Sequence, residues 1–573
     1  VYGIWWNSRH TQIQDRILMY QTTCDTIAAI LRQHTGKDDI MLTDGGDHAD
    51  IASTIAFSLA KELRKAPAII ASEIADAVRD KVSAETGAET ISVGPYINFI
   101  FGPGYCSKVM EQAVIEGYGK GGERTERVVL EHTSANPNGP LHVGHIRNTI
   151  IGDTLARCFR KVGYPLEVQY YVNDMGRQIA IVAWGIASQG ADIHAGKKGD
   201  PLLADVYVEA NRQLESDPAH NSDIDRLMQL VESGDPDIIS QFKIPVRRCL
   251  DGFKVTLAAM NVKHDRFVHE SDFIRNGDTA KVLSRISHLP EAKTEDTLSL
   301  DLSAYGFEKD YVLRRSDGTS VYAARDIAFH IWKGHNFDRV IDVLGADHKL
   351  IGTQLQATLE ILGEQVPEIV FFEFVSLPEG SMSTRRGKFI SADELIAETE
   401  RRAMDEVNAR RSELSEEERR KIAHSVAISA IRYDIIRTIP EKSTVFDWKE
   451  ALDFEKQSGP YIQYAHARAC SILDKAVSYT PCFEAEGEGE TALVKHIALF
   501  PKVIEEIVKD LKPYLLAIYA RELADIFNSF YHAEPVLKAE GKVRDRRLTL
   551  VDATRNTLKE ALETLGIDAL RAM

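Results

Sequence analysis

Two histidines three residues apart, His142 and His145, mark the stretch of this chain with the most specific chemistry. They end the segment EHTSANPNGPLHVGH (residues 131–145), which follows a short apolar run and precedes an amphipathic helical pattern. A helix N-terminus offers unpaired backbone N–H groups and partial positive charge, so it favours an anion, and the two histidines add donors. The segment therefore predicts a site for the phosphates of ATP.

An HxxH pair can also be half of a zinc site, or simply two surface histidines. A zinc site needs further ligands, and the sequence offers no nearby cysteine and no HExxH arrangement. Because a strand, a Gly-Pro turn and a helix are all predicted around the pair, nucleotide binding is favoured over both alternatives.

A second segment, SMSTRRGK (residues 381–388), is short, polar and basic. Arg385, Arg386 and Lys388 would neutralise pyrophosphate as it leaves, since nucleotidyl transfer depends mainly on positioning and charge stabilisation. Taken alone, the segment is also typical of an exposed basic turn. Its place after the first segment favours the catalytic interpretation.

A third segment, VYAARDIAF (residues 321–329), reads as the start of a helix. Tyr322 and Asp326 are one turn apart and share a face, and a carboxylate beside an aromatic ring suits a guanidinium. A capping Asp and a packing Tyr remain the alternative. Gly345, Asp347 and His348 follow another predicted strand, where open α/β sheets bind ligands.

Short apolar runs alternate with helical segments from residue 128 onward, and these elements would position the candidate residues. Strands are predicted at Arg127–Leu130, Leu166–Val172, Val340–Leu344 and Ile369–Val375, with a helix from Val143 that buries Ile146, Ile150, Leu155 and Phe159 and stops at Gly163. Such alternation predicts an α/β fold with a parallel, doubly wound sheet. Residues 188–299 are predicted as a mostly helical insertion.

The flanking regions predict further domains. A helix is predicted over Ile51–Arg64 and a β segment over Ile91–Phe101, with a linker at Gly117–Gly122. Beyond Ile390 the chain is helix-forming, apart from an exposed acidic loop at Glu484–Glu490. We predict an α+β N-terminal domain (1–118), a Rossmann-type domain (119–440) and an all-α domain (441–573).

The composition limits the classes of protein to which this chain can belong. The 573 residues contain no apolar run of membrane-spanning length, and the six scattered cysteines include no CxxC pair, so we expect a cytoplasmic protein with no membrane partner. The net charge of −17 requires any RNA site to be a local basic patch. A monomer is expected, with no tightly bound protein metal.

HVGH after SANPNGP resembles the signature motif of class I aminoacyl-tRNA synthetases, in the extended form of arginyl-tRNA synthetases. MSTRRGKFI resembles their archaeal-type Lys-Met-Ser-Lys-Ser loop, although Ser381 and Thr384 replace its two lysines; we hypothesise that Arg385 and Lys388 take over their role. GGDHADIASTIAFSLAKELRK and GPYINF resemble the family's N-terminal domain. QSGPYIQYAHARACSIL and the final Asp568-Ala569-Leu570-Arg571 resemble its helical anticodon-binding domain.

The resemblance implies a set of site residues. Catalysis would involve His142, His145, Arg385 and Lys388, and ATP binding would involve His142, Gly144, His145, Gly345, Asp347, Met382 and Ser383. Arginine would contact Glu131, Asn136, His142, Glu270, Tyr322, Asp326 and His348. Arg544, Arg546 and Arg547 are candidates for tRNA phosphates.

The resemblance also implies the reaction: ATP with Mg²⁺ activates L-arginine to arginyl-adenylate, and tRNA(Arg) accepts the arginyl group at its 3′ end, with activation waiting for bound tRNA. Three alternatives stay open at this stage. They are a synthetase for another amino acid such as cysteine or glutamate, a catalytically silent tRNA-binding relative, and a metal-dependent hydrolase built on the two histidines.

Overall fold

The computed structural model describes residues 19–573 except 44, 194, 195, 197, 317 and 378–389, and it leaves the side chains of residues 19 and 47 undescribed. The described chain separates into two units. The first combines the described residues up to Gly122 with Lys161–Gly163 and Asp453–Met573, and the second combines Glu123–Arg160 with Tyr164–Leu452. Of the described helices, none has the length and apolar character needed to cross a membrane.

The N-terminal part of the first unit is built on a four-stranded antiparallel sheet of order β1-β2-β4-β3. Its elements are α1 (Met19–Thr35), β1 (Leu42–Thr43), β2 (Ile51–Ser53), α2 (Ile55–Leu63), α3 (Pro67–Thr86), β3 (Ala88–Val93), β4 (Tyr96–Phe101) and α4 (Pro103–Ala113). Pro67 suits the first turn of α3, where a missing N–H costs no helical hydrogen bond.

Two predictions about this part were wrong in detail. The predicted helix Ile51–Arg64 begins as a strand, because Ile51–Ser53 is buried throughout and pairs with β4, whereas the helix starts only at Ile55. The predicted single β segment Ile91–Phe101 is the greater part of a hairpin whose turn contains Gly94 at φ +56°. A left-handed residue at this point lets two strands form where the apolar pattern looks continuous.

The second unit contains most of the remaining elements. They are β5 (Val128–Glu131), α5 (Val143–Val162), β6 (Leu166–Val172), α6 (Arg177–Gln189), α7 (Gly199–Ser216), α8 (Asn221–Ser233), α9 (Pro236–Ala259), β7 (Arg266–His269), α10 (Glu270–Arg275), α11 (Asp278–Ile286), β8 (Ala292–Thr294), β9 (Leu298–Leu300), β10 (Tyr311–Arg314), α12 (Tyr322–Asn336), β11 (Arg339–Gly345), α13 (Lys349–Ile361), β12 (Glu368–Phe372), β13 (Val375–Ser376), α14 (Ala392–Arg410), α15 (Glu416–Ile436), β14 (Thr444–Val445) and α16 (Trp448–Ala451).

Five parallel strands form the central sheet of this unit, in the order β12-β11-β5-β6-β7. The chain adds β6 and β7 on one side of β5 and later returns to add β11 and β12 on the other. Strand order therefore reverses between β5 and β11, and open α/β sheets bind ligands beyond the carboxyl ends of the strands at such a point. Glu131 and Gly345 end these two strands. The predicted parallel, doubly wound sheet is confirmed.

Helix α5 follows β5 and carries the predicted buried face. Ile146, Ile150, Leu155 and Phe159 are each at most 1% exposed, and Gly163 follows the helix at φ +100°. At 3.6 residues per turn, Ile146 and Ile150 lie on one side of the helix and Leu155 and Phe159 on the other, as expected of a helix that is buried on most of its surface.

The interval 188–299 is less uniform than predicted. Helices α7, α8 and α9 occupy much of it, but β7 is a strand of the central sheet, and β8 and β9 pair in a separate three-stranded antiparallel sheet. Arg266–His269 is too short and too polar to show a strand pattern by itself. The strand predicted over Ile369–Val375 is likewise divided into β12 and the short β13, which pairs with β14.

The C-terminal part of the first unit is helical in all its described regular elements. They are α17 (Gly459–Ala476), α18 (Glu488–Ala498), α19 (Phe500–Asp510), α20 (Tyr514–Ala533) and α21 (Gly541–Thr564). Ser458 caps α17 by accepting a hydrogen bond from the backbone N–H of Tyr461. The prediction that Glu484–Glu490 is an exposed loop was wrong at its end, because α18 begins at Glu488 and Glu490 is buried.

Candidate active site

Glu131 is the last residue of β5, and its side chain is buried at the carboxyl end of the central sheet. Thr133 and Ser134 follow with φ values of 71° and 37°, a conformation that costs about 1–2 kcal/mol for each non-glycine residue. The side chain of Asn148 accepts a hydrogen bond from the Thr133 N–H at 2.7 Å. The Ser134 hydroxyl donates to Glu131 Oε1 at 2.8 Å and accepts from the Tyr171 N–H at 3.0 Å. These contacts hold the strained turn and orient Glu131.

The two histidines of the first segment form a stacked pair at the start of α5, with ring centroids 3.6 Å apart. Each Nδ1 accepts from a backbone N–H: His142 from Gly144 at 3.1 Å, and His145 from His142 at 3.3 Å. This pattern leaves the ring proton of each neutral histidine on Nε2.

Burial lowers the pKa of both rings. In His142 the nearby carboxylate of Asp347 opposes this effect and raises the pKa. In His145 the imidazoles of His142 and His348 add to the effect of burial, and the pKa falls to about 3. At neutral pH the pair therefore offers uncharged donors next to a helix N-terminus.

The end of β11 supplies the other side of this sheet edge. Ala346–His348 forms a short 3-10 turn after Gly345, in which Asp347 Oδ1 lies 3.1 Å from His348 Nδ1. A Cβ on residue 345 would lie 2.4 Å from Asp347 Oδ1, so a side chain there would displace the Asp347 carboxylate. The predicted ATP-site residues Gly345 and Asp347 therefore lie at the carboxyl end of the strand next to β5.

The basic segment 381–388 lies outside the described residues, and so do the predicted site residues Met382, Ser383, Arg385 and Lys388. The residues that follow it are described. Ser391 pairs with His142 in an isolated antiparallel bridge, and the Ala392 N–H donates to the Leu141 carbonyl at 2.7 Å. A capping box formed by Ser391 and Glu394 then starts α14. The chain after the basic segment is thus anchored beside the histidine pair.

Helix α12 begins at Tyr322, as predicted, and carries both members of the proposed guanidinium pair. Tyr322 is 52% exposed, whereas the Asp326 side chain is 27% exposed. Asp326 Oδ1 lies 3.1 Å from Nδ1 of His330, one turn further along the helix. The helix thus presents an open aromatic ring and a half-buried carboxylate one turn apart.

Glu270 is 1% exposed at the start of α10, and its Oε1 lies 3.4 Å from NH1 of the buried Arg325. Among the described residues, Oε2 of Glu270 has no hydrogen-bond partner. Burial raises the pKa of Glu270 to about 7, assisted by the nearby Asp174 and Asp326 and opposed by Arg325. A buried carboxylate with one unpaired oxygen is a group prepared for a cationic ligand.

Tyr171 of β6 is a site residue that the sequence reasoning missed. Its ring stacks on Phe329 at 4.6 Å, and within the described chain its buried hydroxyl has no hydrogen-bond partner. Burial raises the pKa of Tyr171, and the carboxylates of Glu270, Asp326 and Glu131 raise it further. The charges of three predicted arginine-binding carboxylates therefore all act on one buried tyrosine. Tyr171 lies in an ordinary strand pattern, so the sequence offered no signal for this role.

Lys333 of α12 was also missed, and it lies at the centre of a buried network. Its Nζ lies 2.5 Å from Glu131 Oε2, 2.7 Å from Asp342 Oδ1 and 3.3 Å from His330 Nε2. His330 Nε2 in turn lies 2.8 Å from Asp342 Oδ2. Asp326, His330 and Lys333 follow one another at helical spacing, and this repeat was the available sequence signal.

The charges of this network follow from its contacts. Burial lowers the pKa of Lys333, but the carboxylates of Asp342 and Glu131 have the larger combined effect and raise it overall. Burial and Lys333 lower the pKa of His330, yet Asp342 and Asp326 raise it overall to about 10. Burial likewise opposes ionisation of Asp342, but Lys333 and His330 hold its pKa below the usual range. Burial raises the pKa of Glu131 against the effect of Lys333.

Glu131, His330 and Asp342 also form the one group of three potential metal ligands found among the described residues, with ligand atoms within 4.8 Å of one another. The Lys333 ammonium pairs with the two carboxylates and lies 3.3 Å from His330 Nε2, so the protein supplies its own cation there. Asn136, predicted to bind arginine, is exposed in the loop between β5 and α5.

The three arginines predicted to meet tRNA phosphates lie on α21 of the first unit and face other protein groups. Arg546 is 5% exposed and pairs with Glu486 and Glu490, and Arg547 contacts Glu490 at 3.0 Å. Arg544 donates to the carbonyls of two residues at the end of α17, at 2.8 and 3.1 Å. Their guanidinium groups are engaged within the unit, which does not favour phosphate contact.

Comparisons with known proteins agree with the fold. Residues 109–448 match the family model described as "tRNA synthetases class I (R), catalytic domain", residues 24–101 match "Arginyl tRNA synthetase N terminal domain", and residues 462–573 match "DALR anticodon binding domain". The arginine–tRNA ligase of Methanospirillum hungatei is 88% identical over 97% of this chain and 100% of its own length. That of Methanoregula boonei is 62% identical over 96% of this chain and 100% of its own length.

Solved structures lead to the same family. The arginyl-tRNA synthetase of Thermus thermophilus superposes with a TM-score of 0.83 at 30% identity, covering 96% of this chain and 99% of that one. The Plasmodium falciparum enzyme shares the fold, with a TM-score of 0.79 at 20% identity, covering 97% of this chain and 100% of that one. The predicted class I fold with an α+β N-terminal domain and a helical C-terminal domain is confirmed. The chain therefore belongs to the arginyl-tRNA synthetase family, as its motifs predict.

Proposed function

We propose that this chain is an arginine–tRNA ligase, which activates L-arginine with ATP and transfers the arginyl group to the 3′ end of tRNA(Arg). The observation that carries the proposal is the group of carboxylates around Tyr171. Arginine brings two positive charges, and Glu131, Glu270 and Asp326 supply negative charge at the sheet edge where the strand order reverses.

The arginine site uses these carboxylates at different ends of the substrate. Asp326 and Glu270 take the guanidinium, with Tyr322 against its flat face, because a planar fork suits carboxylates and an aromatic ring together. Glu131 takes the α-ammonium group. His348 and Asn136 complete the binding site from the ends of β11 and the β5–α5 loop.

The ATP site occupies the N-terminus of α5 and the turn after β11. His142 and His145 donate uncharged N–H groups to the triphosphate, and Gly144 and Gly345 let the nucleotide approach the backbone. Asp347 borders the nucleotide. Mg²⁺ accompanies ATP and shields its phosphates; the described group of three potential ligands holds Lys333 instead, so the phosphates would provide most of the metal's ligands.

The chemical step needs no covalent protein nucleophile. An oxygen of the arginine carboxylate attacks the α-phosphorus of ATP, a new P–O bond forms, and the bond to pyrophosphate breaks. The protein contributes orientation and charge stabilisation, with Arg385 and Lys388 of the basic segment on the departing pyrophosphate. The 3′ ribose hydroxyl of tRNA then takes the arginyl group and releases AMP.

The helical C-terminal part of the chain is proposed to bind the anticodon region, and the N-terminal sheet the body of the tRNA. We propose domain limits near residues 118 and 440, a cytoplasmic location and a monomeric enzyme. Because the guanidinium groups of Arg546 and Arg547 contact glutamates, tRNA affinity in this proposal depends on other basic side chains of these helices.

The test is ATP–pyrophosphate exchange with each standard amino acid in turn, with and without total tRNA. Exchange with arginine alone, appearing only when tRNA is present, would support the substrate and the tRNA-dependent activation. Exchange with another amino acid would contradict the choice of arginine, and no exchange with any amino acid would leave a tRNA-binding relative without catalysis.

A further inference from the structure

We propose that Lys333 is a positioning residue for arginine binding, through which one buried charge network orients the carboxylates at both ends of the substrate. The inference rests on the proposed function, specifically on the assignment of Glu131 to the α-ammonium group and of Asp326 to the guanidinium. Lys333 itself reaches no substrate atom in this scheme.

The network is a continuous chain of contacts between the two substrate carboxylates. It begins at Glu131, 2.5 Å from the Lys333 ammonium, and continues to Asp342 at 2.7 Å. Asp342 contacts His330 Nε2 at 2.8 Å, and His330 Nδ1 ends the chain 3.1 Å from Asp326. Every member except Asp326 is buried, so these contacts are little screened by solvent.

The Lys333 ammonium has the position and the charge to keep Glu131 ionised. A carboxylate at the end of β5 that lacked a cation would take up a proton, because burial disfavours its charged form. A protonated Glu131 would lose most of its attraction for an ammonium group. Ser134 holds the other oxygen of Glu131, so the lysine and the serine together define the direction of the carboxylate.

His330 plays the corresponding role at the other end. Its Nδ1 lies 2.8 Å from the backbone carbonyl of Asp326 and 3.1 Å from Asp326 Oδ1, and its Nε2 lies 2.8 Å from Asp342, so the ring is fixed beside the Asp326 carboxylate. Second-layer contacts of this kind maintain binding groups in their productive orientation in metal and catalytic sites. The Lys333 ammonium also lies 4.1 Å from the ring centre of Phe329, which stacks on Tyr171. The network thus contacts the aromatic stack of Phe329 and Tyr171 as well as the two carboxylates.

The network also accounts for a lysine that would otherwise be costly. Lys333 is 0% exposed, and a buried ammonium is tolerated only when it is paired and hydrogen-bonded. A well-packed apolar residue would serve packing alone at lower cost. The retained charge is explained if its purpose is to hold Glu131.

The test compares Lys333→Met, Glu131→Gln and the double variant by tRNA-supported ATP–pyrophosphate exchange, measuring the KM for arginine and for ATP separately. Lys333→Met is expected to raise the arginine KM by about tenfold or more, as loss of a charge-assisted contact does, with the ATP KM nearly unchanged. In the Glu131→Gln background the same change should have little further effect, because the lysine acts through Glu131. His335→Gln, an exposed position on the same helix, is the matched control and should leave both constants unchanged.

If Lys333 had a purely structural role, Lys333→Met would impair the use of arginine and of ATP to the same extent. The effects of Lys333→Met and Glu131→Gln would then add in the double variant. Either result overturns the inference. If Lys333→Met does not fold, His330→Gln with Asp326→Asn forms an equivalent cycle at the other end of the network. Normal arginine-dependent exchange by the wild type, together with an unchanged arginine KM in Lys333→Met, would reject the inference and leave the proposed function intact. Absence of exchange in the wild type would reject both.

Discussion

The buried carboxyl group of Glu270 is expected to make arginine binding depend on pH. Burial raises its pKa to about 7, so about half of the substrate-free molecules carry a protonated Glu270 at neutral pH. Only the ionised form attracts a guanidinium. Binding therefore displaces a proton, and the arginine KM should increase as the pH falls through this pKa.

The size of the effect follows from the titration. The arginine KM is multiplied by one plus the ratio of protonated to ionised Glu270, a factor of about 1.1 at pH 8, about 2 at pH 7 and about 11 at pH 6. We expect the KM to rise about tenfold between pH 8 and pH 6. Replacement by glutamine removes the titrating group and costs about 1.5–3 kcal/mol of charged hydrogen bonding, which raises the KM at pH 8 by about ten- to a hundredfold.

The assay is ATP–pyrophosphate exchange with saturating tRNA and ATP, from pH 6 to pH 8.5, on the wild type, Glu270→Gln and Asp272→Asn. Asp272 lies on the same short helix with an exposed side chain, so its variant should follow the wild-type profile. A wild-type KM that is flat between pH 6 and pH 8 would refute the reasoning. So would an equal slope in Glu270→Gln, because the titrating group would then lie elsewhere.

Two further predictions, each with a control variant, concern stability and are measured by thermal unfolding. Gly152→Ala should destabilise the chain by about 1–3 kcal/mol, because the new Cβ would lie 2.3 Å from the buried ring of His132. Gly104→Ala, which meets nothing within 4 Å, is the control and should not lower the midpoint. Glu490→Gln should lower the midpoint by leaving the buried Arg546 and the partly buried Arg547 short of negative charge, a change worth about 3–5 kcal/mol in fully buried pairs. The exposed Glu488→Gln is its control and should not lower the midpoint.

The parts of the fold that the sequence predicted well are those with local periodicity. The strand Leu166–Val172 and the buried face of α5 follow from side chains within one element, where a stripe or a run of apolar residues is visible directly. The strand Ile51–Ser53 was missed because its apolar residues continue into the helical spacing of α2. Only pairing with β4, about 45 residues further along the chain, distinguishes it.

The same division applies to the candidate site. Residues that end a strand or begin a helix, such as Glu131, His145 and Asp347, were predicted from position and motif. Lys333 and Tyr171 were not, because their roles depend on which side chains meet across the sheet rather than on neighbours in sequence. Sequence spacing cannot identify an ion pair between residues 202 positions apart.

The charges of the site are divided between its two substrates. In the proposed reaction, cationic arginine meets carboxylates, whereas the anionic triphosphate meets uncharged histidines at the N-terminus of α5. The neutral state of His145 follows from its burial and from the nearby imidazoles of His142 and His348. The reacting groups themselves, a carboxylate and a phosphate, are both anionic and must still be brought together. In this proposal the positive charge for that step would come from Mg²⁺ bound with ATP and from the basic segment 381–388. The described chain that follows this segment is anchored at Leu141 and His142.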